Sequence, residues 1–215
     1  MNRKIKVLLV DDHSVVRAGY RLLLSASDAI DEILEAEGGE SACRIYIDRN
    51  PDVVVMDISM PGIGGLDAIR RIRARDSSAR ILVFSIHDES IYVSKALEAG
   101  AQGYITKRSA PDILVEAVIR LAAGDTYIEA ALEKNNPASD QSVAPLSVRV
   151  QNLSPREFDI FLGLAKGFTT REIADQLCLS YKTVANYSTG IRNKLDANTN
   201  AEIAKIALDL DLLPR

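Results

Sequence analysis

The sequence predicts two joined domains: a doubly wound α/β domain on a five-stranded parallel sheet, followed by a small all-α domain of four helices. Three observations carry this. The length of 215 residues suits two domains of ordinary size. Short apolar runs alternate with amphipathic helical patterns through residues 1–125 and then stop. Three Ser/Thr…Glu capping patterns crowd into the last third of the chain, where strand patterns have vanished.

The elements follow in order. Apolar runs at residues 5–10, 33–36, 53–56, 81–84 and 103–105 read as buried strands, with amphipathic segments between and after them. Val93, Ala96, Leu97 and Gly100 form one helical stripe, and Leu114, Ala117, Val118 and Leu121 another, at i, i+3, i+4, i+7 spacing. Five strands and five helices therefore make a parallel sheet covered on both faces. Periodicity fades over residues 126–148, where Asn135-Asn136-Pro137-Ala138-Ser139-Asp140 reads as a linker. In residues 149–215, three capping boxes pair Ser154 with Glu157 (Pro155 at the first helical position), Thr169 with Glu172, and Thr199 with Glu202. Ser180 is a fourth N-cap, so helices are expected near 155–166, 170–177, 181–195 and 200–210.

Composition narrows the class without naming it. Hydrophobic residues make up 47% and charged residues 26%, and no apolar run reaches the length of about 20 residues that a membrane helix needs. The first residues enter a strand directly, without the pattern of a signal peptide, so a cytoplasmic protein is expected. Cys43 and Cys178 lack the paired spacing of a metal site and are expected to be buried structural thiols. The second domain carries nine basic and eight acidic residues. That near-neutral balance means any affinity for nucleic acid must be argued from pattern.

In an open parallel sheet, functional residues gather at the carboxyl ends of the strands. Asp11 and Asp12 follow the first strand, Asp57 ends the third, Ser85 ends the fourth and Lys107 follows the fifth. An Asp-Asp pair alone is often only a solvated turn, but four strand ends converging on one pocket point to a site. Clustered carboxylates repel one another unless a cation is present, and hard oxygen ligands suit Mg²⁺.

With Val-Asp-Asp-His at 10–13, Met-Asp-Ile-Ser-Met-Pro-Gly at 56–62, Ser85 and Tyr-Ile-Thr-Lys at 104–107, residues 4–124 resemble the receiver domain of bacterial two-component response regulators, a flavodoxin-like fold. The resemblance implies that Asp57 takes a phosphoryl group from the phosphohistidine of a sensor histidine kinase. It further implies that Asp12, Asp57 and the Ser59 carbonyl bind Mg²⁺, with Asp11 assisting through water. Lys107 and Ser85 would engage the phosphoryl oxygens, and Tyr104 would be the switch aromatic that turns inward, the alternative being an ordinary half-buried strand tyrosine. Gly64 departs from the acidic or polar residue common at its position, and His87 reads as a surface residue near the pocket.

Ile173, Ala174 and Leu177, then Val184, Tyr187, Ile191 and Leu195, give two consecutive helices inner stripes joined by a tight turn. Lys182, Asn186, Thr189 and Asn193, flanked by Ala185, then face outward. Leu-Ser-Pro-Arg-Glu (153–157), Gly167, Glu172-Ile173-Ala174, Leu177, Lys182-Thr183-Val184 and Lys194-Leu195 resemble the LuxR-type helix-turn-helix of the NarL/FixJ family, over residues 153–210. This points to double-stranded DNA as partner, with Asn186 reading bases. Lys182, Thr183, Arg192, Lys194, Thr169 and Thr170 would hold phosphates. The family implies a homodimer on inverted half-sites. Ile203, Ile206, Ala207 and Leu210 offer either its interface or packing within their own domain.

The leading expectation is a transcriptional regulator whose receiver masks or orients the DNA-reading helix until phosphorylation, with no enzymatic turnover of an outside substrate. Two rivals are an Asp-nucleophile phosphatase, which lacks a second acid two residues after Asp57, and a constitutive DNA binder using the first domain as a dimerisation scaffold. A four-helix protein-interaction module is the alternative for the second domain.

Overall fold

Strands β1 (Ile5–Val10), β2 (Ile30–Ala36), β3 (Val53–Met56), β4 (Ile81–Ser85) and β5 (Gly103–Thr106) alternate with helices α1 (Ser14–Ser25), α2 (Gly39–Arg49), α3 (Gly64–Arg75), α4 (Ser90–Ala99) and α5 (Pro111–Ala123). This is a computed structural model, and it describes residues 4–133 and 145–213. The strands run parallel in the order β2-β1-β3-β4-β5, extended by a sixth strand. The pleat sends alternate residues to opposite faces. Leu8, Val10, Val54, Met56 and Val83 pack against Ala42, Ile69 and Ala96 of α2, α3 and α4. Val7, Leu9, Val55, Phe84 and Ile105 pack against Leu24 of α1 and Leu114, Val118 and Leu121 of α5. Because the chain turns one way from β1 to β2 and the other way from β1 to β3, connections diverge at the carboxyl ends of β1 and β3 and leave a crevice there.

Two departures from expectation concern length. Tyr127–Ile128 (β6) pairs with β5, and the helical turn Ala130–Glu133 (α6) follows, so six strands are present among the described residues rather than five. The first domain thus extends past residue 125 into the expected linker. Glu129 secures this edge, its carboxylate accepting from the Thr106 N–H (3.0 Å) and the Ser109 hydroxyl (2.7 Å). A two-residue strand is too short to register in periodicity. Among the described residues the second domain begins with helix α7 (Pro145–Gln151), which makes five helices with α8 (Pro155–Ala165), α9 (Thr170–Gln176), α10 (Tyr181–Leu195) and α11 (Asn200–Asp209). The segment 135–140 lies outside the described residues.

The helix starts follow from their caps. Ser154 and Thr169 each accept from the backbone N–H three residues on, while Glu157 and Glu172 return a bond to the cap's own N–H. Ser180 and Thr199 cap α10 and α11 in the first half of the same way. Side-chain caps of this kind each contribute about 1 kcal/mol. In α11, Ile203 and Ala207 are fully buried within their own domain and Ile206 is nearly so. Packing against α8 has consumed that stripe, so it is not an open dimer surface.

The domains meet along α3 and α4 on one side and α7 and α8 on the other. Tyr92 packs edge-on against Phe158, with ring centroids 5.3 Å apart. Lys95, 0% exposed, donates to the carbonyl of Gln151 at the end of α7, where the helix dipole favours a cation. Arg156 lies 3.6 Å from Asp67, which also pairs with Arg70 and Arg71. Asp159 lines a crevice of about 320 Å³ between the domains. Cys178 is exposed rather than buried: it occupies the turn between α9 and α10 with φ 53°, and its Sγ is 3.4 Å from Glu40 of the first domain. Cys43 is half-buried.

Candidate functional site

Four strand ends build the acidic pocket, as their positions in the sequence require. Asp11 and Asp57 are 2% and 4% exposed, and Lys107 reaches between them from beyond β5, its Nζ 2.6 Å from Asp11 Oδ2 and 2.6 Å from Asp57 Oδ2. Burial works against the lysine charge, but the facing Asp57 and Asp11 outweigh it and raise the Lys107 pKa. The ammonium therefore stays charged and positioned. Asp57 Oδ1 accepts from the Ser59 N–H (3.0 Å), and Asp11 Oδ1 from the His13 N–H (2.8 Å). The start of α3 closes the pocket floor, because a Cβ on Gly65 would lie 2.1 Å from the Asp57 carbonyl oxygen. Only glycine allows that approach.

Asp12 stands at the rim. Its Oδ1 is buried without a hydrogen-bond donor, 2.9 Å from the His13 Nδ1, and the acceptor atoms of Asp11, Asp12 and His13 lie within 4.8 Å of one another. An orphaned carboxylate oxygen beside further acidic oxygens fits a hard divalent cation. Of the expected ligands, Asp11 and Asp57 are joined through Lys107, to which each turns its Oδ2, and Asp12 stands beside Asp11. Ser59 Oγ and His87 Nε2 share a hydrogen bond of 3.0 Å.

Ser85 is fully buried at the end of β4, and its Oγ accepts from the His87 N–H (3.3 Å). Tyr104 is 0% exposed and its hydroxyl donates to the His87 carbonyl (2.8 Å). Tyr104 points inward, fully buried and not half-buried: burial raises its pKa, and the hydroxyl has its partner.

The second candidate surface is α10. Val184, Ile191 and Leu195 are buried, Tyr187 is half-buried, and Ser188 fills the remaining core position. Lys182, Asn186, Thr189 and Asn193 are all exposed, with Ala185 half-covered beside them. The outward face is therefore open, and the first domain does not mask it. Thr183 joins Ser180 in the cap, Thr169 caps α9, Thr170 follows it half-exposed, and Thr189 Oγ1 bonds back to the Ala185 carbonyl. Two of the basic residues expected on phosphates are engaged internally. Lys194 Nζ lies 2.7 Å from Glu157, and Arg192 donates to Asn200 Oδ1 (2.7 Å). A cation committed to a carboxylate is a weaker phosphate ligand than a free one. The sequence reading passed over Tyr181, 62% exposed at the start of α10, and over the seam residues Tyr92 and Lys95.

Residues 7–119 match the family described as response regulator receiver domain, and residues 151–207 match the bacterial regulatory proteins of the luxR family. The chain is 41% identical to the transcriptional activator protein ExaE of Pseudomonas putida over 210 residues, 96% of this chain and 97% of that one. This chain belongs to the response regulators. The regulator is also 37% identical to the response regulator UvrY of Escherichia coli K12, over 95% of its own length and 94% of UvrY. Its fold matches that of RcsB from Salmonella enterica serovar Typhimurium with a TM-score of 0.72 at 24% identity, covering 98% of this chain and all of the other. Among its described residues, no helix is long and apolar enough to cross a membrane.

Proposed function

We propose that this regulator accepts a phosphoryl group on Asp57 from a sensor histidine kinase and thereby controls its binding to double-stranded DNA through α10. The observation that carries the reading is the Lys107 ammonium held 2.6 Å from both Asp57 and Asp11, beside the unsatisfied oxygen of Asp12. Phosphoryl transfer needs positioning and charge neutralisation more than covalent chemistry. Asp57 forms the new P–O bond as the kinase P–N bond breaks, and Lys107 meets the negative charge on the transferred oxygens. Ser85 lies at the next strand end to donate its hydroxyl to one of them. Asp11, Asp12 and Asp57, with the Ser59 carbonyl, would hold Mg²⁺, which when bound supplies the remaining positive charge.

The outward residues of α10 suit the major groove, with Asn186 central to base reading. A single helix-turn-helix binds weakly, so the active form is a homodimer on inverted half-sites. The α1 and α5 faces leave Val15, Leu22 and Ile119 exposed beside a groove lined by Leu23 and Val115, apolar area suited to such a pair. The regulator works in the cytoplasm and turns over no outside phosphoester. With the reading face already exposed, phosphorylation acts by orienting and pairing the DNA-binding domains, not by uncovering them.

Binding to a pool of random duplexes tests this, with and without Mg²⁺ and acetyl phosphate, for wild type and Asp57→Asn. Phosphoryl uptake by mass in wild type alone, with donor-dependent enrichment of an inverted repeat, supports the reading. Equal enrichment without donor reduces the first domain to a scaffold, and no enrichment at all favours a protein partner.

A further inference from the structure

We infer that His87 is the positioning residue through which the state of the acidic pocket reaches the DNA-binding domain, an inference that rests on Asp57 being the phosphoacceptor. His87 lies two residues beyond β4, and pocket residues hold it at three points. Its N–H donates to Ser85 Oγ (3.3 Å), its carbonyl accepts from the Tyr104 hydroxyl (2.8 Å), and its Nε2 bonds with Ser59 Oγ (3.0 Å). Ser85 ends β4, Tyr104 lies within β5 and Ser59 follows β3, so the three partners come from three consecutive strands of the sheet, of which β3 leads into Asp57.

On its other side the His87 ring lies flat on Tyr92 of α4, with centroids 3.9 Å apart and 11° between the planes. Tyr92 in turn meets Phe158 in the first turn of α8, with centroids 5.3 Å apart at 81°. Phe158 has no exposed surface and stacks with Phe161 inside the DNA-binding domain. Each link from Ser59, Ser85 and Tyr104 to Phe158 is a direct contact.

The chemistry gives this chain a reason to move. A serine hydroxyl has one proton to give. When Ser85 donates its hydrogen bond to a phosphoryl oxygen, Oγ moves toward Asp57 and the long bond it accepts from the His87 N–H (3.3 Å) lengthens further. The Ser59 N–H now holds Asp57 Oδ1, so a bulkier acyl phosphate also displaces the residue that carries the His87 ring contact. Two tethers are thus altered by one event, while the third joins His87 to Tyr104. Aromatic stacking is sensitive to offset, so a shifted His87 ring changes what Tyr92 presents to Phe158. Two polar contacts of the seam do not share this position. Asp67 with Arg156, and Lys95 with Gln151, make no hydrogen bond to Ser59, Ser85 or Tyr104.

The full chain supplies its own reporter. Cys178 is exposed at the seam, and its hydrogen bond to Glu40 raises its pKa, so separation of the domains speeds its alkylation. Wild type, His87→Ala and His87→Phe are each treated with Mg²⁺ and acetyl phosphate. Phosphoryl uptake is read by mass, Cys178 alkylation by peptide mass, and DNA affinity by titration. In wild type the donor should change alkylation and affinity by about fivefold or more, the ordinary scale of coupling between sites. His87→Ala should still take up phosphoryl but show less than a twofold donor response. His87→Phe, which keeps a flat ring on Tyr92 and loses the Ser59 bond, should fall between. A phosphorylated His87→Ala protein with the full wild-type response overturns the inference, as does a phosphorylated wild type whose seam and affinity ignore the donor. Wild type that takes up no phosphoryl sinks the reading of Asp57 itself and this inference with it.

Discussion

Asp159 should make the contact between the domains sensitive to pH, and replacing it with asparagine should remove that sensitivity. Its Oδ2 has essentially no exposed surface and no hydrogen-bond donor, although the side chain as a whole is only partly covered. Burial raises its pKa from 3.8 to about 7, against the pull of Arg156 and Arg70 and with a push from Asp67. A difference of about three units is worth at most about 4 kcal/mol. Because the buried value is the raised one, docking has its full strength below pH 3.8 and weakens by about 1.4 kcal/mol per unit as pH rises toward 7. Above that it levels off. Between pH 5 and 7 the docking equilibrium should therefore fall by up to about a hundredfold in wild type. Asp159→Asn, neutral throughout, should stay docked with a flat profile. Small-angle X-ray scattering and interdomain fluorescence transfer from pH 5 to 8 read the separation directly. Equal slopes in the two proteins would refute the reasoning, because the titrating group would then lie elsewhere.

Further expectations follow from the same geometry. Gly65→Ala forces a methyl onto the Asp57 carbonyl and should lower stability by about 1–3 kcal/mol in thermal unfolding while reducing phosphoryl uptake. Gly190→Ala meets nothing within 4 Å in the middle of α10 and should raise stability by about 1 kcal/mol, read as a higher Tm. Asn186→Ala should relax preference at one base position, at a cost of about 1–3 kcal/mol on the preferred duplex, whereas a uniform loss on all duplexes argues against base reading. Lys194→Ala should cost about 1 kcal/mol or less of domain stability, because the half-exposed lysine pairs with Glu157, and should leave the salt dependence of DNA binding unchanged.

What could be read in advance was local. The capping residues Ser154, Thr169, Ser180 and Thr199 place their helices because a cap acts within three residues of itself, and the helix starts fall where they say. Asp11, Asp57, Ser85 and Lys107 were legible as one site because a parallel sheet brings strand ends together whatever their separation in sequence. What escaped depends on contacts that no window of sequence contains. Lys95 sits among Val93, Ala96 and Leu97 and reads as the polar side of a helix; it is buried only because α7 caps it with a carbonyl. Lys194 looks free until Glu157 is found 37 residues away. His87 and Tyr92 are five residues apart, too far for one helical turn, and stack only because the loop before α4 folds the ring back. The two-residue β6 has no period to detect.

The open outward face of α10 bears on timing. Lys182, Asn186, Thr189 and Asn193 are accessible in the form in which the domains are packed together, so the molecule can touch duplex before any signal arrives. On the proposed pairing of the DNA-binding domains, encounter is similar in both states and the signal governs residence time: a lone domain lets go quickly, while a pair leaves only when both halves release. Activation of this kind is recorded in the dissociation rate, and the protein's search for its sites precedes the stimulus that makes it stay.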